Sequence, residues 1–133
     1  MTGSWPGSAH PGDLLTEDLR ATVECRLVTT GRRSGEPREV RAWFAAAGDV
    51  LYLLAGDRER AHWVRNLEAE PCVHVQIGAR TFEGRGRIVG TQADDTGARE
   101  AIAAKYGTKW LSRWLRESLP VRIDLEREIT TDP

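Results

Sequence analysis

The rhythm of hydrophobic and polar positions first becomes regular near residue 13. Over Asp13 to Arg20, Leu14, Leu15 and Leu19 gather on one side while acidic residues come early and Arg20 late, as a helix dipole favours, and the spacing predicts a short helix. From Thr22 the period drops to two. Val23, Cys25 and Leu27 alternate with Glu24 and Arg26, the pattern of a half-buried strand. Gly31 to Pro37 interrupts it. Arg38 to Ala46 then sets Val40, Ala42 and Phe44 on one face and Glu39, Arg41 and Trp43 on the other. Gly48 and Asp49 supply a turn into a third strand, Val50 to Ala55, and the three strands predict an antiparallel meander.

A polar loop, Gly56 to Glu59, precedes Trp63, Val64 and Leu67 at helical spacing, and Pro71 ends that helix. Cys72 to Ile77 alternates again, Gly78 and Ala79 turn, and Thr81 to Val89 reads as a long strand loosened by Gly84 and Gly86. Asp94, Asp95 and Thr96 offer N-cap chemistry to a helix carrying Ala98, Ala101, Ile102 and Lys105. Lys109 to Leu119 carries Trp110, Leu111, Trp114 and Leu115 as a second apolar stripe, which Pro120 stops, and Val121 to Leu125 is a sixth strand. Six short strands with inserted helices and no βαβ alternation predict a small antiparallel barrel or an α+β sandwich, not a doubly wound sheet.

Length and composition narrow this picture. A chain of 133 residues is one domain's worth. Residues 1–12, MTGSWPGSAHPG, contain seven Gly, Ser or Pro and are expected to form a flexible arm ahead of a single domain over 13–133. The longest apolar runs, Trp43 to Ala47 and Val50 to Ala55, fall far short of the roughly 18 residues of a membrane span. The 19 basic and 20 acidic residues leave a net charge of −1, so no bulk field draws the chain to nucleic acid or an anionic membrane. Any anion must be gripped locally. Cys25 and Cys72 lie far apart, and residues 1–12 lack the basic and apolar regions of a secretory signal, which predicts a reduced, cytoplasmic protein.

Most catalytic signatures fail. His10, His62 and His74 show no metal-ligand spacing, so no metal is expected, and no G-x-S-x-G elbow marks a hydrolase. His74 alternates on a strand and reads as a structural histidine, whereas His62 opens the middle helix within reach of a ligand. In GRGRIVG the third glycine, Gly90, comes one position late for a dinucleotide fingerprint. One segment stands out. Thr29 to Arg38, TTGRRSGEPR, packs two glycines, Thr30, Ser34, Arg32, Arg33 and Arg38 between two strands, offering backbone N–H groups and guanidinium forks to a phosphate. A plain Arg-rich hairpin fits the same residues. The GDRER loop adds Arg58 and Arg60 before Trp63, and two basic loops flanking Trp43 and Trp63 suit a flat ring with an anionic tail, unless both tryptophans are core.

The string LVTTGRRSGEPREVRAWF, followed by HWVRNLEAEPCVHVQIG, resembles the deazaflavin-dependent nitroreductase family, from about Leu27 to Val89 and again at SRWLRESLPVRIDL. The resemblance implies a split β-barrel of the flavin-reductase and pyridoxamine-phosphate-oxidase type. It implies that Arg33, Ser34, Gly35 and Arg38 hold the phosphate tail of coenzyme F(420). It gives Arg58 or Arg60 the role of a further cation and sets Trp63 and Asn66 near the deazaflavin ring. Trp43 stands where relatives often carry a substrate-facing tyrosine, and Tyr106, Trp110 and Trp114 replace the C-terminal tyrosines of nitro-reducing members, with Tyr106 a candidate proton donor. Hydride transfer from reduced coenzyme F(420) to a quinone, enone or nitro-compound is the expected activity. The alternatives are an FMN-dependent reductase on the same barrel and a non-catalytic ligand-binding module. Five tryptophans on so small a chain, together with the resemblance, lead to the expectation of a homodimer.

Overall fold

Six strands close on themselves. Described as a computed structural model over residues 14–107 and 112–129, the chain runs β1 (Glu24–Thr30), β2 (Pro37–Ala47), β3 (Val50–Ala55), α2 (His62–Ala69), β4 (Cys72–Ile77), β5 (Arg80–Ile88), α3 (Gln92–Tyr106), α4 (Ser112–Glu117) and β6 (Leu119–Ile129), with a one-turn α1 (Glu17–Arg20) ahead of β1. The expected arm over 1–12 and Trp110 lie outside the described residues. Every neighbouring pair is antiparallel and the order around the barrel is β1-β2-β3-β6-β5-β4, with β4 pairing back to β1. The expected meander of the first three strands is there, Leu27 facing Val40 and Phe44 facing Leu53.

Period-two alternation produces this closure because one face of each strand fills the barrel. Cys25, Leu27, Phe44, Leu51, Leu53, Val73, Val75, Ile77, Phe82, Val121 and Ile123 form one buried cluster, joined by Val64 and Leu67 of α2. Strand β3 departs from alternation, with Leu51 to Ala55 all buried. Its inner residues meet the barrel core, while Leu54 packs outward with Ala45, Ile102 and Leu115 beneath α3 and α4. A strand covered on both faces reads as a continuous apolar run, as VLYLLA does.

The glycines of β5 are there for close approach. A Cβ on Gly84 would sit 2.6 Å from Asp124 O at a bulge in the β5/β6 ladder, and a Cβ on Gly86 would collide with Leu67 of α2. Bare backbone at Gly86 is what lets α2 seat on the barrel.

Several boundaries differ from the sequence expectation. Helix α1 spans only Glu17–Arg20 because Thr16 caps it, its side chain accepting from Leu19 N–H. Helix α3 begins three residues ahead of the expected cap: Thr91 accepts from Asp94 N–H at 3.1 Å, and Asp94 and Asp95 occupy the first turn, where the helix dipole favours them. Strand β6 runs past Leu125 to Ile129, where polar side chains carry no hydrophobic alternation and the pairs Arg80–Glu128 and Arg127–Glu83 link it to β5 instead. His74 is solvent-exposed on β4. Among the described residues no helix is long and apolar enough to cross a membrane.

Candidate functional site

Where the β1–β2 loop faces the start of α2, the barrel wall opens into a cavity of about 800 Å3. The loop supplies Gly31, Arg32, Arg33, Ser34 and Arg38, and α2 supplies His62, Trp63 and Asn66. The loop is held by its own backbone: Gly31 N–H donates to Glu36 O and Gly35 N–H to Gly31 O, both at 2.8 Å, and Gly35 takes a φ of 73° that L side chains rarely adopt. Ser34 Oγ accepts from Glu36 N–H at 3.1 Å and lies 3.5 Å from Arg38 Nη2. The backbone amides of Gly31 and Gly35 are thus spent inside the loop, and its polar contribution to the cavity lining comes from side chains, those of Arg33, Ser34 and Arg38 among them. Neither Arg33 nor Arg38 makes an ion pair among the described residues.

Arg32 behaves differently. Its backbone N–H and Nη1 donate to Asn66 Oδ1 at 3.2 and 2.7 Å, and its Nη2 lies 3.3 Å from His62 Nδ1. Asn66 in turn donates from Nδ2 to Thr29 Oγ1 at 3.4 Å, with Asn66 4% and Thr29 1% exposed. A buried amide must find partners for both its ends, and this one finds them in β1 and in the loop. Asn66 therefore positions the cradle from below. Helix α2 starts with Ala61 at its N-cap position and no side-chain cap, which leaves its first amides and the positive end of its dipole beside the cavity.

The structure separates other residues that the sequence grouped. Arg58 turns away: its Nη1 donates to Glu117 O at 2.8 Å at the end of α4, and its φ of 54° is the one left-handed non-glycine value among the described residues. Arg60 is exposed and does not line the cavity, and the loop contributes Gly56 and Asp57 instead. Trp43 and Tyr106 lie outside the cavity too. Their rings stack at 4.5 Å with 11° between planes, and Trp114 meets Trp43 edge-on at 5.9 Å.

The Tyr106 hydroxyl is already engaged with backbone. It sits 2.5 Å from Val23 O and 2.8 Å from Phe44 O and accepts from Phe44 N–H at 3.1 Å; burial pushes its phenol up to about 12. Its proton is thus directed at backbone carbonyls, and Tyr106 does not line the cavity. Beside it, Lys105 Nζ donates to Thr22 O at 2.6 Å and Phe44 O at 2.9 Å and stands 3.7 Å over the Phe44 ring, and burial pulls the ammonium down to about 8. Burial also lifts the neighbouring Cys25 thiol to about 12. Both cysteines are free thiols. Among the described residues no three His, Cys, Asp or Glu side chains gather as a metal-binding set.

Sequence reasoning underrated His62 and Arg32. The signal was present in the spacing: His62 and Asn66 stand four apart on one helical face, and so look at the same loop residue.

A closed six-stranded antiparallel barrel with helices inserted between its strands is the split-barrel architecture. This chain belongs to the F(420)H(2)-dependent quinone reductase family, whose profile matches residues 15–126. A quinone reductase of that description from Mycobacterium tuberculosis is 34% identical over 59 residues, which cover 42% of this chain and 40% of the relative. The chain thus spans less than half the length of that relative in the match. Among solved structures, an F(420)-H(2) dependent reductase superposes with a TM-score of 0.64 at 22% identity, over 78% of this chain and 94% of the other. A haem storage protein of Vibrio cholerae, HutZ, superposes at 0.69 and 16% identity, over 84% and 87%. The fold is the split β-barrel that the resemblance implied. One barrel carrying both a deazaflavin reductase and a haem protein shows that the fold does not name the ligand.

Proposed function

We propose that the chain acts as its family's name states, taking a hydride from reduced coenzyme F(420) and delivering it to a quinone or another electron-poor small molecule. The observation that carries this reading is the make-up of the cavity lining: Arg33, Ser34 and Arg38 of the loop share it with Trp63 and the uncapped start of α2. A ligand with a flat ring and a phosphate tail matches that arrangement. Bound there, the cofactor supplies the redox chemistry. The chain's own residues do the rest: Arg33 and Arg38 hold the phosphate, Ser34 donates to it, Asn66 fixes the loop through Arg32, and Trp63 forms one wall for the ring. No side chain is needed as a covalent catalyst. The reduced acceptor takes its proton from water, since the Tyr106 hydroxyl is bonded to Val23 and Phe44.

Two further readings belong here. A homodimer would cover Val23, just ahead of β1, and Trp43 of β2, 58% and 37% exposed, and light scattering well above 14.8 kDa is the expected result. Free Cys25 and Cys72 suit the reducing cytoplasm. The cofactor reading is tested by titrating the protein with coenzyme F(420) and, separately, with FMN, following ligand fluorescence anisotropy. Tighter binding of the deazaflavin is expected. Preference for FMN would make the chain a flavin reductase, and binding of neither would make it a ligand-sequestering barrel.

A further inference from the structure

Arg32 is the arginine of the loop that is bonded to other side chains of the cavity lining, Asn66 and His62, and those contacts fix a neighbouring tautomer. A guanidinium carries five N–H donors and no acceptor, and it stays protonated in a protein. Its contact with His62 Nδ1 at 3.3 Å therefore requires Nδ1 to be the bare, accepting nitrogen. The ring proton then resides on Nε2. Nothing lets Arg32 escape this geometry cheaply, because Asn66 Oδ1 holds it at two further points and Asn66 is itself buried and tied to Thr29. Among the described residues nothing accepts from His62 Nε2, while the side chain is exposed and lines the cavity next to Trp63.

We propose that His62 is a ligand-binding residue that presents a fixed Nε2–H donor to an acceptor atom on the cofactor's flat ring, a ring carbonyl of the deazaflavin. The inference deepens the cofactor reading above and rests on it. Two consequences follow from the chemistry. A donor that cannot switch to acceptor selects the carbonyl-bearing edge of a ring over an N–H edge, so His62 sets which edge of the ring turns toward α2. The arginines of the loop are also divided in role, with Arg33 and Arg38 serving the phosphate and Arg32 serving the ring through His62.

The test uses the full chain and oxidised coenzyme F(420). Histidine-selective nitrogen-15 NMR, with the signal assigned by loss in His62→Phe, should show the Nε2–H tautomer in the free protein. Adding the cofactor should shift that N–H and slow its exchange with water. His62→Phe keeps a flat ring without a donor and should weaken binding about three- to tenfold, the worth of one neutral hydrogen bond. Inorganic phosphate, used as a probe of the loop alone, should bind both proteins equally. His62→Gln, whose amide both accepts from Arg32 and donates, should recover most of the loss. If wild type binds the cofactor while the His62 signal stays unmoved and His62→Phe binds as well, the proposal is overturned and the cofactor reading stands. If wild type fails to bind the cofactor at all, the cofactor reading fails and the proposal falls with it.

Discussion

Two regions of this barrel hold the same kinds of residue, tryptophan beside cation beside hydroxyl, and differ in what those groups have left to offer. Around the cavity, the Arg33 and Arg38 side chains make no ion pair among the described residues, and Trp63 is half-buried. Around the aromatic cluster, Tyr106 and Lys105 are already bonded to Thr22, Val23 and Phe44, and Trp43 stacks on Tyr106. The two meet at Gly56, which lines the cavity and lies 3.7 Å, by its absent Cβ, from Trp114. A polar group binds ligand only if the fold has not already paired it, because an unpaired buried donor costs what a paired one has recovered. Residue type nominates both regions. Hydrogen-bond occupancy chooses the cavity.

Four substitutions would break or sharpen that contrast. The largest effect is expected from Gly86→Val, whose side chain would run into Leu67 and lift α2 from β5. Overpacking of this kind costs about 3 kcal/mol. Thermal unfolding should show the loss, and cofactor affinity should fall with the displaced helix. Next comes Arg38→Ala, which removes a charge-assisted contact and should weaken coenzyme F(420) binding roughly ten- to hundredfold while leaving the melting temperature unchanged. Equal affinity in anisotropy titrations would remove the phosphate role from the loop.

Tyr106→Phe should do the opposite of Arg38→Ala. It strands Phe44 N–H, Val23 O and Phe44 O and should cost about 1 to 2 kcal/mol in denaturant titration, with cofactor affinity unaltered. Its pH dependence carries a sign. Tyr106 ionises near the ordinary phenol value of 10.0 in the unfolded chain and at about 12 when folded, so the unfolded chain sheds its proton first and wild-type stability falls as pH rises from 10 toward 12. The Phe variant lacks that share of the fall.

The smallest effect is expected from Lys105→Met. Lys105 titrates at about 8 in the folded chain against 10.5 unfolded, so the folded state holds fewer protons between those values and gains stability as pH rises through them. The difference in melting temperature between wild type and variant should move toward wild type from pH 8 to pH 10. A constant difference would place the lysine in solvent, free of the aromatic cluster.

Much of the barrel was legible before any coordinates. Period-two runs locate five of the six strands because each buries one face, a continuous apolar run locates β3, and the T-T-G-R-x-S-G-x-P-R string marks the loop that lines the cavity. The ends of elements were less legible. Polar strand residues such as Glu126 to Glu128 carry no periodic signal, and the cap residue Thr91 is less conspicuous in the sequence than Asp94 and Asp95 of the first turn. Roles within the candidate site were legible only in part. Arg32 and Arg33 are adjacent and chemically identical, yet one is bonded to Asn66 and His62 while the other is directed to solvent.

By itself the sequence determined the antiparallel strands, the position of the cationic loop and the tryptophan-bearing helix that follows, because alternation, turn residues and local charge are properties of neighbouring positions along the chain, while closure into a barrel came from the pairing of β4 back to β1. Only the tertiary structure decided which arginines face the cavity, that Tyr106 and Lys105 are spent on backbone carbonyls, and that Arg58 caps α4. Those outcomes depend on which long-range partners close each donor and acceptor, between residues such as Arg32 and Asn66 that stand 34 positions apart.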